Sequence, residues 1–198
     1  MPKIKLKRGK RREFELSERG IEKIEILADF LIKFNLLAIP MYIILLTGIE
    51  FYPLQIVLAD LVHGIITALG YEAVKNGIVL TFVSQPFIAT IVMGVDCTAW
   101  KSMYALAALM LASPVANDKK KLKYILLGVL FVFALNIVRL VTTVLIGYEF
   151  GMEYLNIVHT LLWREGMIFA VIAIWLLWIK KQKVIFRKKQ TILRKLLH

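Results

Sequence analysis

Apolar and polar residues fall into long blocks along this chain. A helix that crosses a bilayer takes about 20 mostly apolar residues. Three runs meet that need: Trp100 to Ala116, Tyr124 to Gly147, and Thr160 to Ile179, the last broken only by Arg164 and Glu165. A fourth, Phe34 to Ile49, is slightly short and carries Pro40, a residue that kinks helices. Upstream of it Phe14, Leu16, Ile21, Ile24, Leu27, Ala28 and Leu31 recur at helical spacing among charges. Residues 1–33 therefore predict a basic start and an amphipathic helix anchored on the inner membrane surface. They do not read as a cleavable signal peptide, because a mixed-charge stretch follows the basic start where an apolar core would be needed.

Residues 50–96 follow a different pattern. Pro53 to Leu69 is apolar but holds Asp60 and His63, which predicts a segment partly in the interface. Gly70 to Gly77 is turn-like. Ile78 to Val95 is apolar, β-branched and aromatic around Ser84-Gln85-Pro86. It reads as a hairpin or as a helix that nearly spans. Two extra spans in 50–96 would leave every flanking charge on the same side, so charge alone leaves six spans open. Pro86 and the β-branched content favour the hairpin and four. The expected fold is an all-α polytopic membrane protein forming a single domain over 1–198. It has spans at 34–49, 98–116, 124–147 and 160–179, an outer helix or β-hairpin segment at 50–96, and a basic tail at 180–198.

Composition narrows the class. The chain has 198 residues, 59% of them hydrophobic, against about 45–50% in soluble domains. Disorder is excluded by that hydrophobicity. The net charge of +12 does not make the chain a soluble nucleic-acid binder, since such a protein would not carry these apolar blocks. The charge instead reports orientation. Residues 1–12 hold seven basic residues, Lys119, Lys120, Lys121 and Lys123 form a second cluster, and the tail from Lys180 holds eight. With four spans all three lie on one side, the cytoplasm, and the termini with them. The other side takes Glu50, Asp60, Glu72, Lys75, Asp96, Glu149 and Glu153. A single cysteine excludes an internal disulfide framework and a Cys-rich metal site. No Gly-rich phosphate loop is present, so ATP use is not expected. Neither a cofactor nor a metal is expected.

Ionisable residues at membrane depth are costly, which makes each a candidate site. Cys97 stands at the outer start of a span, where backbone N–H groups and the helix dipole favour a thiolate. Arg139 lies in an otherwise uncharged span, about 22 Å up from Tyr124 at 1.5 Å per residue. It needs an anion or several carbonyls there. Asn136 precedes it by one turn on the same face, within reach of Arg139 or of a neighbouring helix. His159 opens the last span on the outer side. These positions share a depth. Cysteine and histidine supply a nucleophile and a general base, and an arginine stabilises the oxyanion of an acyl-transfer intermediate. Thr98, Asp96 and Lys101 flank the thiol in supporting positions, with Lys101 one turn beyond Cys97 and able to pair with Asp96. Arg164 and Glu165 read as a local ion pair, and His63 and His198 as bland histidines.

Cys97-Thr98-Ala99, then Asn136-x-x-Arg139, then His159 resembles the exosortase/archaeosortase family of membrane transpeptidases. That family carries Cys-(Ser/Thr)-Gly at a helix start, Asn-x-x-Arg on the next helix, and a later His or Arg. The resemblance covers roughly Gly77 to Ile179, and the shortness of the chain before Cys97 is similar to a compact archaeal member. Ala99 departs from the family's glycine. The resemblance implies a cysteine transpeptidase in the cell membrane, with its active site facing outside. It implies secreted protein substrates whose C-terminus holds a short motif, a transmembrane helix and a basic end. It also implies a thioester on Cys97 and transfer to a membrane lipid or similar acceptor. Nucleic acid is not an expected partner. The outer hairpin is placed to bind an extended motif by strand addition. The rival reading is a non-enzymatic membrane assembly protein in which Arg139 pairs with a partner's acid and Cys97 is filler. A transporter is disfavoured because the polar residues cluster on one side. A serine rhomboid fails for want of Gly-x-Ser-x-Gly.

Overall fold

A computed structural model describes residues 8–84, 87–115, 118–160 and 165–196. The chain is mostly helical, with one small sheet. In order, the elements are α1 (Arg8–Thr47), α2 (Tyr52–Ala68), β1 (Ala73–Asn76), β2 (Val79–Ser84), β3 (Phe87–Val92), a 3-10 turn (Val95–Thr98), α3 (Trp100–Ala112), α4 (Asp118–Phe150), α5 (Met152–Thr160) and α6 (Met167–Leu196). Among the described residues, two helical stretches are long and apolar enough to cross a membrane: Ile24–Thr47 within α1 and Lys121–Phe150 within α4.

The separate surface helix and the span at 34–49 are in fact one helix. α1 runs without a break through Pro40, and its apolar part begins at Ile24. Nothing between these segments stops a helix. Lys33 pairs with Asp29 one turn earlier at 2.6 Å, and Asn35 turns its amide back onto the Leu31 carbonyl at 2.8 Å. Pro40 has no N–H to give the Leu36 carbonyl, and the next carbonyl, that of Leu37, accepts from the Tyr104 hydroxyl of α3 at 2.6 Å.

α3 is shorter than the span expected over 98–116. It ends at Ala112 because Ser113 precedes Pro114, and the proline ring drives Ser113 to extended backbone at ψ 128°. The freed end is tied down by side chains. The Ser113 hydroxyl donates to Leu109 O at 2.7 Å and accepts from Trp175 Nε1 of α6 at 2.9 Å. Lys121 Nζ reaches back to Leu111 O at 3.3 Å, which supplies one of the donors that the last carbonyls of a helix lack. α4 accordingly starts within the lysine cluster, not after it. Within the last expected span, residues 161–164 lie outside the described residues, and α6 begins at Met167 and continues through the basic tail.

The hairpin reading of Ile78 to Val95 is borne out by β2 and β3, which pair antiparallel from Val79↔Val92 to Ser84↔Phe87. Their connection at 85–86, with Pro86, lies outside the described residues. The stretch read as turn-like adds a strand that the pattern does not reveal. β1 pairs antiparallel with β2 from Ala73↔Phe82 to Asn76↔Val79, around a two-residue turn whose Gly77 has φ +59°. Glycine suits that left-handed position. Pro53 to Leu69 forms α2, with Pro53 in its first turn. The all-α expectation therefore holds for the helices and is corrected by this sheet.

Among the described residues, two apolar clusters hold the elements together. One joins Leu58, Val62 and Ile66 of α2 to Leu80, Phe82 and Met93 of the sheet region and to Leu140, Val141 and Val144 of α4. The other joins Leu106 and Met110 of α3 to Val132 of α4 and to Met167, Val171 and Trp178 of α6. Helices close on one another where glycine leaves room. A Cβ at Gly128 would stand 2.9 Å from Leu106 Cδ2, and one at Gly147 would overlap Leu155 of α5.

Candidate functional site

Cys97 lies in the 3-10 turn that links β3 to α3. Its N–H donates to Gly94 O at 3.0 Å, and the Thr98 hydroxyl, fully buried, donates to Val95 O at 2.7 Å. The turn passes into α3 through Ala99, the one residue other than glycine with a positive φ (+55°) among the described residues. A left-handed conformation is costly for any residue with a Cβ, by roughly 1–2 kcal/mol. This is why glycine suits the position that Ala99 fills: the backbone must reverse there for the thiol-bearing turn to lead into a helix.

Asn136 is fully buried on α4, and its Nδ2 donates to the carbonyl of Cys97 at 2.8 Å. Arg139, one turn on, is 6% exposed, and its own carbonyl accepts from the Thr143 hydroxyl at 2.8 Å. Val132 belongs to the cluster with α3 and α6, while Leu140 belongs to the cluster with α2 and the sheet. Asn136 and Arg139 therefore occupy the polar seam between two apolar cores, and Cys97 packs against the second of them. Charges meet at the thiol. Burial pushes the Cys97 thiol above the ordinary cysteine range. A backbone hydrogen bond at Gly94 and the Arg139 guanidinium pull it back down, and Asp96 adds a small push upward.

Asp96 and Lys101 form the pair expected of them, at 2.6 Å, each about half exposed. Cys97, Thr98, Asn136 and Arg139 are thus gathered on one turn and the helix face against it. His159 lies in α5, which packs against the C-terminal part of α4 through Leu155 and Gly147. Its side chain falls outside the described residues, as does Arg164. His63 serves the sheet and not the thiol, with its Nε2 3.1 Å from Ala73 O.

The sequence pattern does not single out Trp100. It is buried at the start of α3, its ring lies 5.3 Å from that of Phe51, and its Nε1 has no hydrogen-bond partner among the described residues. Its place three residues after Cys97 is the available sequence signal. Among the described residues no cluster of three or more His, Cys, Asp or Glu could hold a metal ion.

No curated protein and no solved structure matches the chain. The family model for transmembrane exosortase (Exosortase_EpsH) matches residues 26–179, a stretch that contains α2, the sheet, the Cys97 turn and α3 to α5 whole. The chain belongs to the transmembrane exosortase family, whose members are cysteine transpeptidases that process sorting signals.

Proposed function

We propose that the chain is a compact archaeosortase-like transpeptidase in which Cys97 is the nucleophile, Arg139 the oxyanion stabiliser and His159 the general acid and base. The observation that carries this reading is the seam on α4. Asn136 grips the backbone of the only cysteine, and Arg139 lies buried one turn on along the same helix. The substrates are secreted proteins ending in a motif, a transmembrane helix and a basic tail. The chain forms one integral membrane domain. Helices α1, α4 and α6 and the shorter α3 lie in the membrane, with both termini in the cytoplasm and the site toward the outside.

In the first half-reaction the Cys97 thiol gives its proton to His159, and the thiolate forms a bond to the scissile carbonyl carbon. Charge moves onto the carbonyl oxygen beside the Arg139 guanidinium. The tetrahedral species collapses as the C–N bond breaks, and His159 protonates the departing amine. A thioester to Cys97 remains. In the second half a nucleophile, an amine or hydroxyl of a membrane lipid or similar acceptor, attacks that thioester and releases the thiolate, which regains its proton. The substrate's own helix lies beside the enzyme's helices, so the scissile bond is presented at a fixed depth and less translational freedom is lost at the reacting step.

The test is processing of a reporter that carries a C-terminal motif, apolar helix and basic tail taken from the same genome. Cys97→Ala abolishes processing while the protein still inserts in the membrane. His159→Ala abolishes it too. Arg139→Lys is severely impaired, since a point ammonium does not reproduce the guanidinium fork. Persistent cleavage by Cys97→Ala would overturn the assignment.

A further inference from the structure

The two edges of the sheet are treated differently. In an antiparallel pair, successive residues point their N–H and C=O groups alternately toward the partner and away from it. The Met93 N–H donates to Ile78 O at 2.8 Å, so the odd-numbered residues of β3 face β2. Ile88, Thr90 and Val92 then turn their backbone groups to the far edge. The same phase puts Ala73 and Lys75 of β1 toward the opposite edge, and α2 covers that edge: His63 Nε2 stands 3.1 Å from Ala73 O, and Asp60 pairs with the Lys75 side chain. Among the described residues no strand pairs with the far edge of β3. Natural edge strands are blunted by charge, proline or a covering element. β3 reads Phe-Ile-Ala-Thr-Ile-Val, with neither charge nor proline. Its outward face is apolar, with Ile88 73% and Val92 56% exposed and Thr90 3.4 Å from Thr81 across the strands.

We propose that the open edge of β3 is the docking site for the extended recognition segment of the substrate, which adds to the sheet as a fourth strand. This rests on the reading of Cys97 as the nucleophile. The occupant is argued from continuity: β3 leads within five residues of Val92 to Cys97, through a 3-10 turn. A chain held along β3 is thereby delivered to the thiol. The direction follows as well. A substrate that runs from the exterior toward its own membrane helix moves in the same sense as β3, so the pairing is parallel. The backbone of the segment is bound at Ile88 and Thr90, and alternate side chains lie over the Ile88, Thr90 and Val92 face. Val92 O is already occupied by the Gly94 N–H at 2.9 Å, which ends the pairing at Val92, two residues short of the 3-10 turn.

The test uses the full-length protein in nanodiscs and the same-genome reporter. Among the described residues the Thr90 N–H makes no ladder bond, so Thr90→Pro removes a donor from the open edge. It raises KM about tenfold and leaves kcat and alkylation of Cys97 by iodoacetamide unchanged. An unchanged KM overturns the proposal. A second measurement does not need catalysis and also serves if the proline variant fails to insert. The double variant Thr90→Cys, Cys97→Ala is mixed, under a mild oxidant, with reporters bearing one cysteine walked through the motif. Disulfides at every second reporter position support strand addition. Disulfides at none, or without that alternation, overturn it, including when the wild-type protein cleaves the reporter. If the alternation is seen and the single variant Cys97→Ala still cleaves the reporter, the docking edge stands and the nucleophile assignment falls.

Discussion

Asn136 Nδ2 donates to the main-chain carbonyl of Cys97 at 2.8 Å, which fixes the thiol-bearing turn to the middle of α4. The bond is fully buried on the asparagine side, so its loss strands the Cys97 carbonyl. An unmet buried polar group costs about 1–3 kcal/mol.

Asn136→Ala and Asn136→Asp both lose the donor, and the second adds a buried carboxylate beside the carbonyl. Reporter processing by Asn136→Ala is expected to fall about tenfold to a hundredfold, mostly in kcat, because the turn that aims the thiol loosens. Asn136→Gln keeps the amide but moves it by a methylene, and is expected to recover part of the loss. The readout is kcat and KM measured separately, with thermal unfolding of the nanodisc-held protein alongside. A loss confined to KM would argue that Asn136 contacts the substrate and does not position Cys97.

Ala99→Gly is expected to stabilise the protein, which is unusual for glycine. The backbone there has φ +55°, and removing the Cβ relieves about 1 kcal/mol of left-handed strain, offset in part by the entropy of a freer unfolded chain. Ala99→Val, β-branched at the same φ, is expected to lose more than alanine's strain and to lower processing with it. Melting temperatures rank the three variants: glycine highest, then alanine, then valine.

The pair of Asp96 and Lys101 marks the opposite limit. At 2.6 Å the geometry is good, but both side chains are about half exposed. Ion pairs of that exposure contribute about 0–1 kcal/mol. Lys101→Ala is expected to alter stability by no more than that and processing by less than about fivefold. A larger loss of activity would give Lys101 a role at the substrate that its pairing does not suggest.

The parts of this molecule that are legible in the sequence are those with a strong local signal. The apolar blocks, the hairpin around Ser84-Gln85-Pro86 and the ordered trio Cys97, Asn136 and Arg139 each rest on residue type and spacing. The parts that escape a reading of the sequence depend on contacts between distant segments. β1 is four residues long, and its edge is completed by His63, ten residues earlier. Charge predicts a surface helix separate from the span at 34–49, yet Asp29 and Lys33 neutralise each other one turn apart and leave α1 unbroken. The early end of α3 is written in Ser113-Pro114, where the restriction that proline places on its predecessor outweighs the apolar residue that follows. His159 is matched by its order along the chain, and order alone says nothing about distance.

The titration of Cys97 gives a prediction with two signs. Burial raises the thiol, the Arg139 guanidinium lowers it, and Asp96 raises it slightly. The folded protein therefore holds the Cys97 proton at pH values where an exposed cysteine has begun to lose it. Stability from this group is complete below the pKa of the unfolded chain and is lost as pH rises through the higher folded value. Reactivity runs the other way, because the thiolate is the nucleophile. Alkylation by iodoacetamide reads this site alone, since the chain has one cysteine. Its rate is expected to climb with pH, with a midpoint above that of free cysteine. Arg139→Gln removes the lowering charge and moves the midpoint up further. Asp96→Asn removes the raising charge and moves it down by a smaller amount. If Arg139→Gln left the midpoint in place, the guanidinium would not be acting on the sulfur, and the charge relationship at the centre of the seam would have to be abandoned.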